Sequence, residues 1–178
     1  VPHVESALHD GETMAKYLEQ TLGLPKENII VQTDATLGAL LRAIAQTKNA
    51  VKSMGAGTDL IVYYAGHGMP NEATKDALLL PVDGDPLTAE SCYSLNRLYD
   101  ELGNSGAENI IVFLDACFSG SNRGDGMLTA TRGVAIKPKE VAPQGNMFIL
   151  SATSGQETAL PYAEKNHGLF TYLSLIHI

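Results

Sequence analysis

The sequence predicts an α/β protein: a mostly parallel, doubly wound β-sheet with helices on both faces. Two observations carry that expectation. Four apolar runs of strand length occur: Asn28-Ile29-Ile30-Val31-Gln32, Leu60-Ile61-Val62-Tyr63-Tyr64, Ile110-Ile111-Val112-Phe113-Leu114 and Met147-Phe148-Ile149-Leu150. Near-continuous hydrophobicity of this kind marks strands buried on both faces. Segments with helical spacing separate the runs, and strands alternating with helices imply crossover connections and a parallel sheet. Right-handed crossovers bring all strand carboxyl ends to one edge, where open α/β sheets form their ligand crevices.

Taken in order, residues 5–22 place Leu8, Ala15, Leu18 and Leu22 roughly at helical spacing, and Gly23 offers a stop. A short strand at 28–32 follows. Thr36 then caps a helix running to about Met54, with Leu37, Leu40, Leu41, Ile44 and Val51 on its apolar face. Gly55-Ala56-Gly57 breaks that helix. These glycines are no dinucleotide fingerprint, since the third Gly is missing and a strand follows instead of a helix. Residues 69–92 read as irregular and acidic around one apolar patch, Leu78-Leu79-Leu80-Pro81-Val82. Ser94 caps a helix through Leu102 that ends at Gly103. After the strand at 110–114, residues 118–145 form a long stretch rich in Gly, Ser, Thr, Pro and basic residues, a length that is usually functional or mobile inside a compact domain. A last strand at 147–150 and a helix from Gly168 to about Leu175 complete the chain.

Composition narrows the function classes. With 178 residues and 44% hydrophobic content the chain is most simply one domain with a sizeable core. A net charge of −8 argues against a nucleic-acid or anionic-membrane surface. No apolar run approaches the roughly 18 residues of a membrane span. Two cysteines, Cys92 and Cys117, are too few for a disulfide framework, so a reducing, cytoplasmic setting is expected.

Two strands end in reactive groups. The run 110–114 passes into Asp115-Ala116-Cys117-Phe118-Ser119-Gly120, and the run 60–64 into Ala65-Gly66-His67-Gly68. A core Cys would sit within its apolar run, whereas Cys117 follows it at the crevice edge. Gly66 and Gly68 let backbone approach a substrate, and the amide after His67 is free to act as a donor. Thiolate is the attacking species in cysteine chemistry, and a neighbouring imidazole takes its proton and later protonates the leaving amine. The parallel topology lets His67 and Cys117 meet although they lie fifty positions apart.

Tyr64-Ala65-Gly66-His67-Gly68 and Asp115-Ala116-Cys117-Phe118-Ser119-Gly120 resemble the two catalytic motifs of the caspase-like cysteine peptidases (peptidase family C14), closer to the metacaspase and bacterial branch than to animal caspases. A Cys with a His about fifty residues upstream is a known signature of that group. The similarity extends over most of the chain, including Leu78 to Asp83 and Ser151 through Leu173 with His167-Gly168-Leu169-Phe170-Thr171. The resemblance implies a three-layer αβα caspase-like fold and an endopeptidase acting on protein or peptide substrates. It assigns Cys117 as nucleophile, His67 as base, and the Gly68 and Cys117 amides as oxyanion hole.

Animal caspases carry Gln two positions before the Cys, in a pocket that accepts Asp; this chain carries Asp115, as metacaspases do. A carboxylate at a pocket floor pairs with Arg or Lys and repels Asp, so cleavage after basic residues is expected. By the same resemblance Asp76 lines that pocket too. The basic stretch after Cys117 then holds self-cleavage candidates. Pro138 protects the bond after Lys137, leaving Arg123 and Arg132. No cofactor is required. Calcium activation is conceivable because some metacaspases use it, yet Glu72, Asp76, Asp83 and Asp85 match no calcium loop and read better as a solvated acidic stretch. Cys92 has no assignable base, and His167 reads as a local structural residue.

Two rivals remain. Cys117 and Arg123 satisfy Cys-x5-Arg, the spacing of Cys-dependent phosphatases, but that reading leaves His67 unexplained. The other is a non-catalytic caspase-like interaction module. Similar domains begin with another strand inside the sheet and continue past the last helix. The chain is therefore expected to be a fragment lacking its first strand, with fused domains possible on either side and an atypical tail at 174–178.

Overall fold

A run of apolar residues becomes a buried strand only if neighbours take up its backbone hydrogen bonds. Three of the four runs find such neighbours in the computed structural model, which describes residues 4, 6–118, 145–153 and 159–177. In chain order the strands are β1 (Asp59–Ala65), β2 (His67–Pro70), β3 (Ala77–Leu80), β4 (Tyr93–Ser94), β5 (Asn109–Asp115), β6 (Met147–Ser151), β7 (Pro161–Tyr162) and β8 (His167–Gly168). The helices are α1 (Ala7–Gln20), α2 (Leu37–Met54), α3 (Leu95–Gly103) and α4 (Leu169–His177). The central sheet has the order β1-β5-β6 and is parallel throughout. Its register runs from Asp59 opposite Asn109 to Ala65 opposite Asp115, so the carboxyl ends of β1 and β5 finish side by side.

Alternation along these strands sorts side chains between two helical layers. Ile110, Val112 and Leu114 of β5, with Leu60, Val62 and Tyr64 of β1, pack into one core with Val51 of α2 and Leu95, Leu98, Tyr99 and Leu102 of α3. The opposite face carries Tyr63 and Asp115, which reach Thr171 of α4, and α1 packs against both β1 and α4. Helices on both faces of a parallel sheet are the expected α/β fold.

Helix starts follow the expected chemistry. Thr36 Oγ1 accepts from the Ala39 amide at 3.1 Å, and Ser94 Oγ from the Arg97 amide at 3.3 Å. Asp83 adds a long-range cap, its Oδ1 accepting from the Leu37 amide at 2.8 Å. Gly55 closes α2 with φ 84°, a left-handed angle that disfavours other residues.

The run at 28–32 forms no strand. Lys26–Asn28 is a single 3-10 turn, and the following residues stay outside any ladder, with Ile30 and Val31 41% and 47% exposed. Between this segment and the free edge of β1 lies a cavity of about 700 Å³ whose lining includes Met14, Leu18, Leu40, Ile44, Leu60 and Val62. A first strand between them is absent from the described residues, and a ladder with one side missing cannot hold residues 29–32 as a strand.

Residues 69–92 are also more ordered than expected. β2, β3 and β4 form a second, antiparallel sheet in which His67 faces Leu80 and Leu79 faces Tyr93. The Leu78–Leu80 patch is its buried middle strand.

Candidate active site

His67 stands where the chain leaves one sheet for the other. β1 ends at Ala65, Gly66 makes the crossing, and His67 opens β2. A Cβ at Gly66 would lie 2.8 Å from the Tyr64 phenol oxygen, so a side chain there would displace that phenol. That phenol donates to the His67 carbonyl at 2.8 Å and holds the backbone that carries the imidazole. Burial pushes the Tyr64 hydroxyl far up from its ordinary pKa, so it remains a donor at every working pH.

Cys117 lies just past β5, in a turn gripped from both sides. The Gly66 amide donates to the Asp115 carbonyl at 3.2 Å, the Ala152 amide to the Leu114 carbonyl at 2.9 Å, and Thr153 Oγ1 to the Ala116 carbonyl at 3.3 Å. The two motifs then touch through Gly68. A Cβ there would lie 2.7 Å from the Cys117 carbonyl oxygen and 2.5 Å from a ring carbon of Phe118. The backbones of 67–68 and 117–118 are therefore in van der Waals contact, and only a residue without a side chain fits between them.

The thiol receives a hydrogen bond. The Ala159 amide donates to Cys117 Sγ at 2.6 Å. Cys117 and His67 are 4% and 7% exposed.

Asp115 is fully buried, and its Oδ2 accepts from the Thr171 hydroxyl at 2.6 Å. The hairpin places Asp76 four ladder steps from the level of His67, opposite Asn71, roughly 13 Å along the strand at the usual rise. There its Oδ1 accepts from Asn96 Nδ2 at 3.1 Å.

The other acidic residues serve local structure. Asp83 caps α2, and Asp85 bonds the Leu87 amide and the Thr88 hydroxyl. No group of three His, Cys, Asp or Glu side chains that could hold a metal ion occurs among the described residues. Arg123 and Arg132, and with Arg123 the Cys-x5-Arg pattern, lie outside the described residues.

Sequence reasoning missed Asp10. It is fully buried on α1, where Oδ1 lies 2.6 Å from His167 Nδ1 and Oδ2 accepts from the Gly168 amide at 2.9 Å. Its signal was a carboxylate four residues before Met14, on the helix face that turned out to be buried. Two buried carboxylates thus meet one corner, Asp10 at Gly168 and Asp115 at Thr171. His167 has the local structural role expected of it.

The sequence resembles Metacaspase-1A of Aspergillus oryzae (strain ATCC 42149 / RIB 40), with 25% identity over 166 residues, covering 84% of this chain and 39% of that protein. The chain thus spans well under half the length of that relative. The pattern of the caspase domain, Peptidase C14, matches residues 3–176. With nearly the whole chain matched, this protein belongs to the caspase-domain family of peptidases.

Proposed function

We propose that the chain is a cysteine endopeptidase domain that hydrolyses peptide bonds after Arg or Lys. His67 takes the proton of Cys117, and the thiolate attacks the scissile carbonyl carbon. The Gly68 and Cys117 amides hold the resulting oxyanion. As the tetrahedral adduct collapses, the imidazolium gives its proton to the leaving amine and a thioester remains. Water, deprotonated by His67, then attacks the thioester and releases the carboxylate product and the thiol.

The observation that carries this reading is the seating of Gly68 against the Cys117 carbonyl, which joins the two motif segments. Basic specificity is supported by Asp115, buried two residues before the thiol. A buried carboxylate favours a cationic side chain and disfavours Asp. Arg123 and Arg132 follow as self-cleavage candidates.

The test is a fluorogenic panel with Arg, Lys, Asp or Asn at the scissile position, run with and without calcium on wild type, Cys117→Ala and Asp115→Ala. Turnover of Arg and Lys substrates by wild type alone is expected, with Asp115→Ala still alkylated at Cys117. Preference for Asp or Asn, or an unchanged Arg preference in Asp115→Ala, overturns the specificity. Absence of any turnover beside vanadate-sensitive hydrolysis of an aryl phosphate would favour the phosphatase chemistry. Intact masses of wild type and Cys117→Ala report self-cleavage, which identical masses exclude.

A further inference from the structure

The Thr171 hydroxyl lies 2.6 Å from Asp115 Oδ2 and 2.7 Å from the Tyr63 phenol oxygen. Donor counting orients the chain: a carboxylate only accepts, so the single Thr171 proton goes to Asp115 and the Tyr63 proton goes to Thr171. The relay Tyr63 to Thr171 to Asp115 joins β1, α4 and β5. Tyr63 pairs with Phe113 and Ala65 with Asp115, so both relay ends stand on one face of the sheet, two residues apart.

Thr171 sits in the first turn of α4 and is fully buried, as is Asp115. A helical threonine ordinarily turns its hydroxyl back onto its own helix. This one reaches across to the sheet instead. A buried donor chain polarises along its length, so the phenol strengthens the grip of the hydroxyl on Oδ2. Pinning one oxygen fixes the plane of the carboxylate, and a planar guanidinium pairs well only with a carboxylate of fixed plane.

We propose that Thr171, backed by Tyr63, is the positioning residue for recognition of basic side chains, holding Asp115 in the pose that receives them. The proposal rests on the reading of Asp115 as the floor of the specificity pocket. Thr171→Val keeps the shape and removes the donor. It is expected to raise KM for an Arg substrate about tenfold or more, with a smaller change in kcat and an unchanged rate of Cys117 alkylation. Thr171→Ser restores the wild-type KM, and Tyr63→Phe shifts KM in the same direction by about two- to fivefold.

An unchanged Arg KM in Thr171→Val overturns the proposal, as does failure of Thr171→Ser to rescue, or a proportional loss of alkylation, which marks a merely structural role. If Thr171→Val does not fold, Tyr63→Phe decides alone by the same KM criterion. Arg turnover by wild type with no KM shift in these variants strikes only this inference. No turnover of Arg or Lys substrates by wild type removes the specificity reading and this proposal together.

Discussion

Cys92 and Cys117 are 8% and 4% exposed and neither forms a disulfide, yet their surroundings oppose each other. Around Cys92 stand acceptors: the Thr88 carbonyl at 3.9 Å, the Asp85 carbonyl at 4.0 Å and the Met69 sulfur at 3.7 Å. Burial pushes the Cys92 thiol up, the Ser91 hydroxyl pulls it partly back, and the charges of Asp85 and Glu90 push it further up. Around Cys117 stands a donor, the Ala159 amide, with the His67–Gly68 segment against its backbone. Equal burial therefore does not make equal thiols. Carbonyl acceptors stand near the Cys92 sulfur, whereas an amide donor meets the Cys117 sulfur.

The largest expected effect comes from removing each thiol in turn. Cys117→Ala should lower peptide hydrolysis at least about a thousandfold, as loss of a catalytic nucleophile does, while Cys92→Ala stays within about twofold. A comparable loss in both would erase the distinction. Next is Gly68→Ala, whose Cβ has no room beside the Cys117 carbonyl and Phe118. Displacing the two segments by a fraction of an ångström to an ångström should cost about a hundredfold in kcat/KM. A fully active Gly68→Ala would show that the segments are not in working contact.

The smallest effect lies away from both thiols. Glu101 bonds Lys48 at 3.1 Å and Arg97 at 2.8 Å, and Tyr93 donates to it at 3.1 Å. Burial raises its carboxyl, but the donors Lys48, Arg97 and Tyr93 outweigh burial and leave it below the usual carboxylate value. A carboxyl lowered on folding stabilises above its unfolded pKa, and the benefit fades as pH falls through the folded value. Glu101→Gln should therefore cost about 1 kcal/mol or less at neutral pH and nothing once both carboxyl forms are protonated, read from denaturant midpoints at neutral and strongly acidic pH. Peptidase activity at neutral pH should not change.

The sequence made some of this legible and concealed the rest for physical reasons. β1, β5 and β6 were readable because long apolar runs admit few alternatives, and the caps at Thr36 and Ser94 because their chemistry is local. His67 and Cys117 were readable as an imidazole and a thiol just past the ends of apolar runs, where β1 and β5 do end. β2 was hidden, since His67-Gly68-Met69-Pro70 holds a Gly and a Pro that disfavour strands and owes its extended form to pairing with β3. The 28–32 run misled in the opposite way, having the propensity of a strand but no ladder partner. Asp10 and Thr171 were hidden because each acts across a gap in sequence, 157 residues from Asp10 to His167 and 56 from Thr171 to Asp115.

The most direct test is the pH dependence of alkylation at each cysteine, mapped by peptide mass spectrometry after brief iodoacetamide treatment of wild type and His67→Ala. If His67 and Cys117 act as one chemical unit, Cys117 reacts first and at neutral pH in wild type. Its profile moves to higher pH when the imidazole is removed, while Cys92 reacts only in alkali and identically in both proteins. A Cys117 profile that ignores the loss of His67, or a Cys92 that reacts before Cys117, contradicts the account.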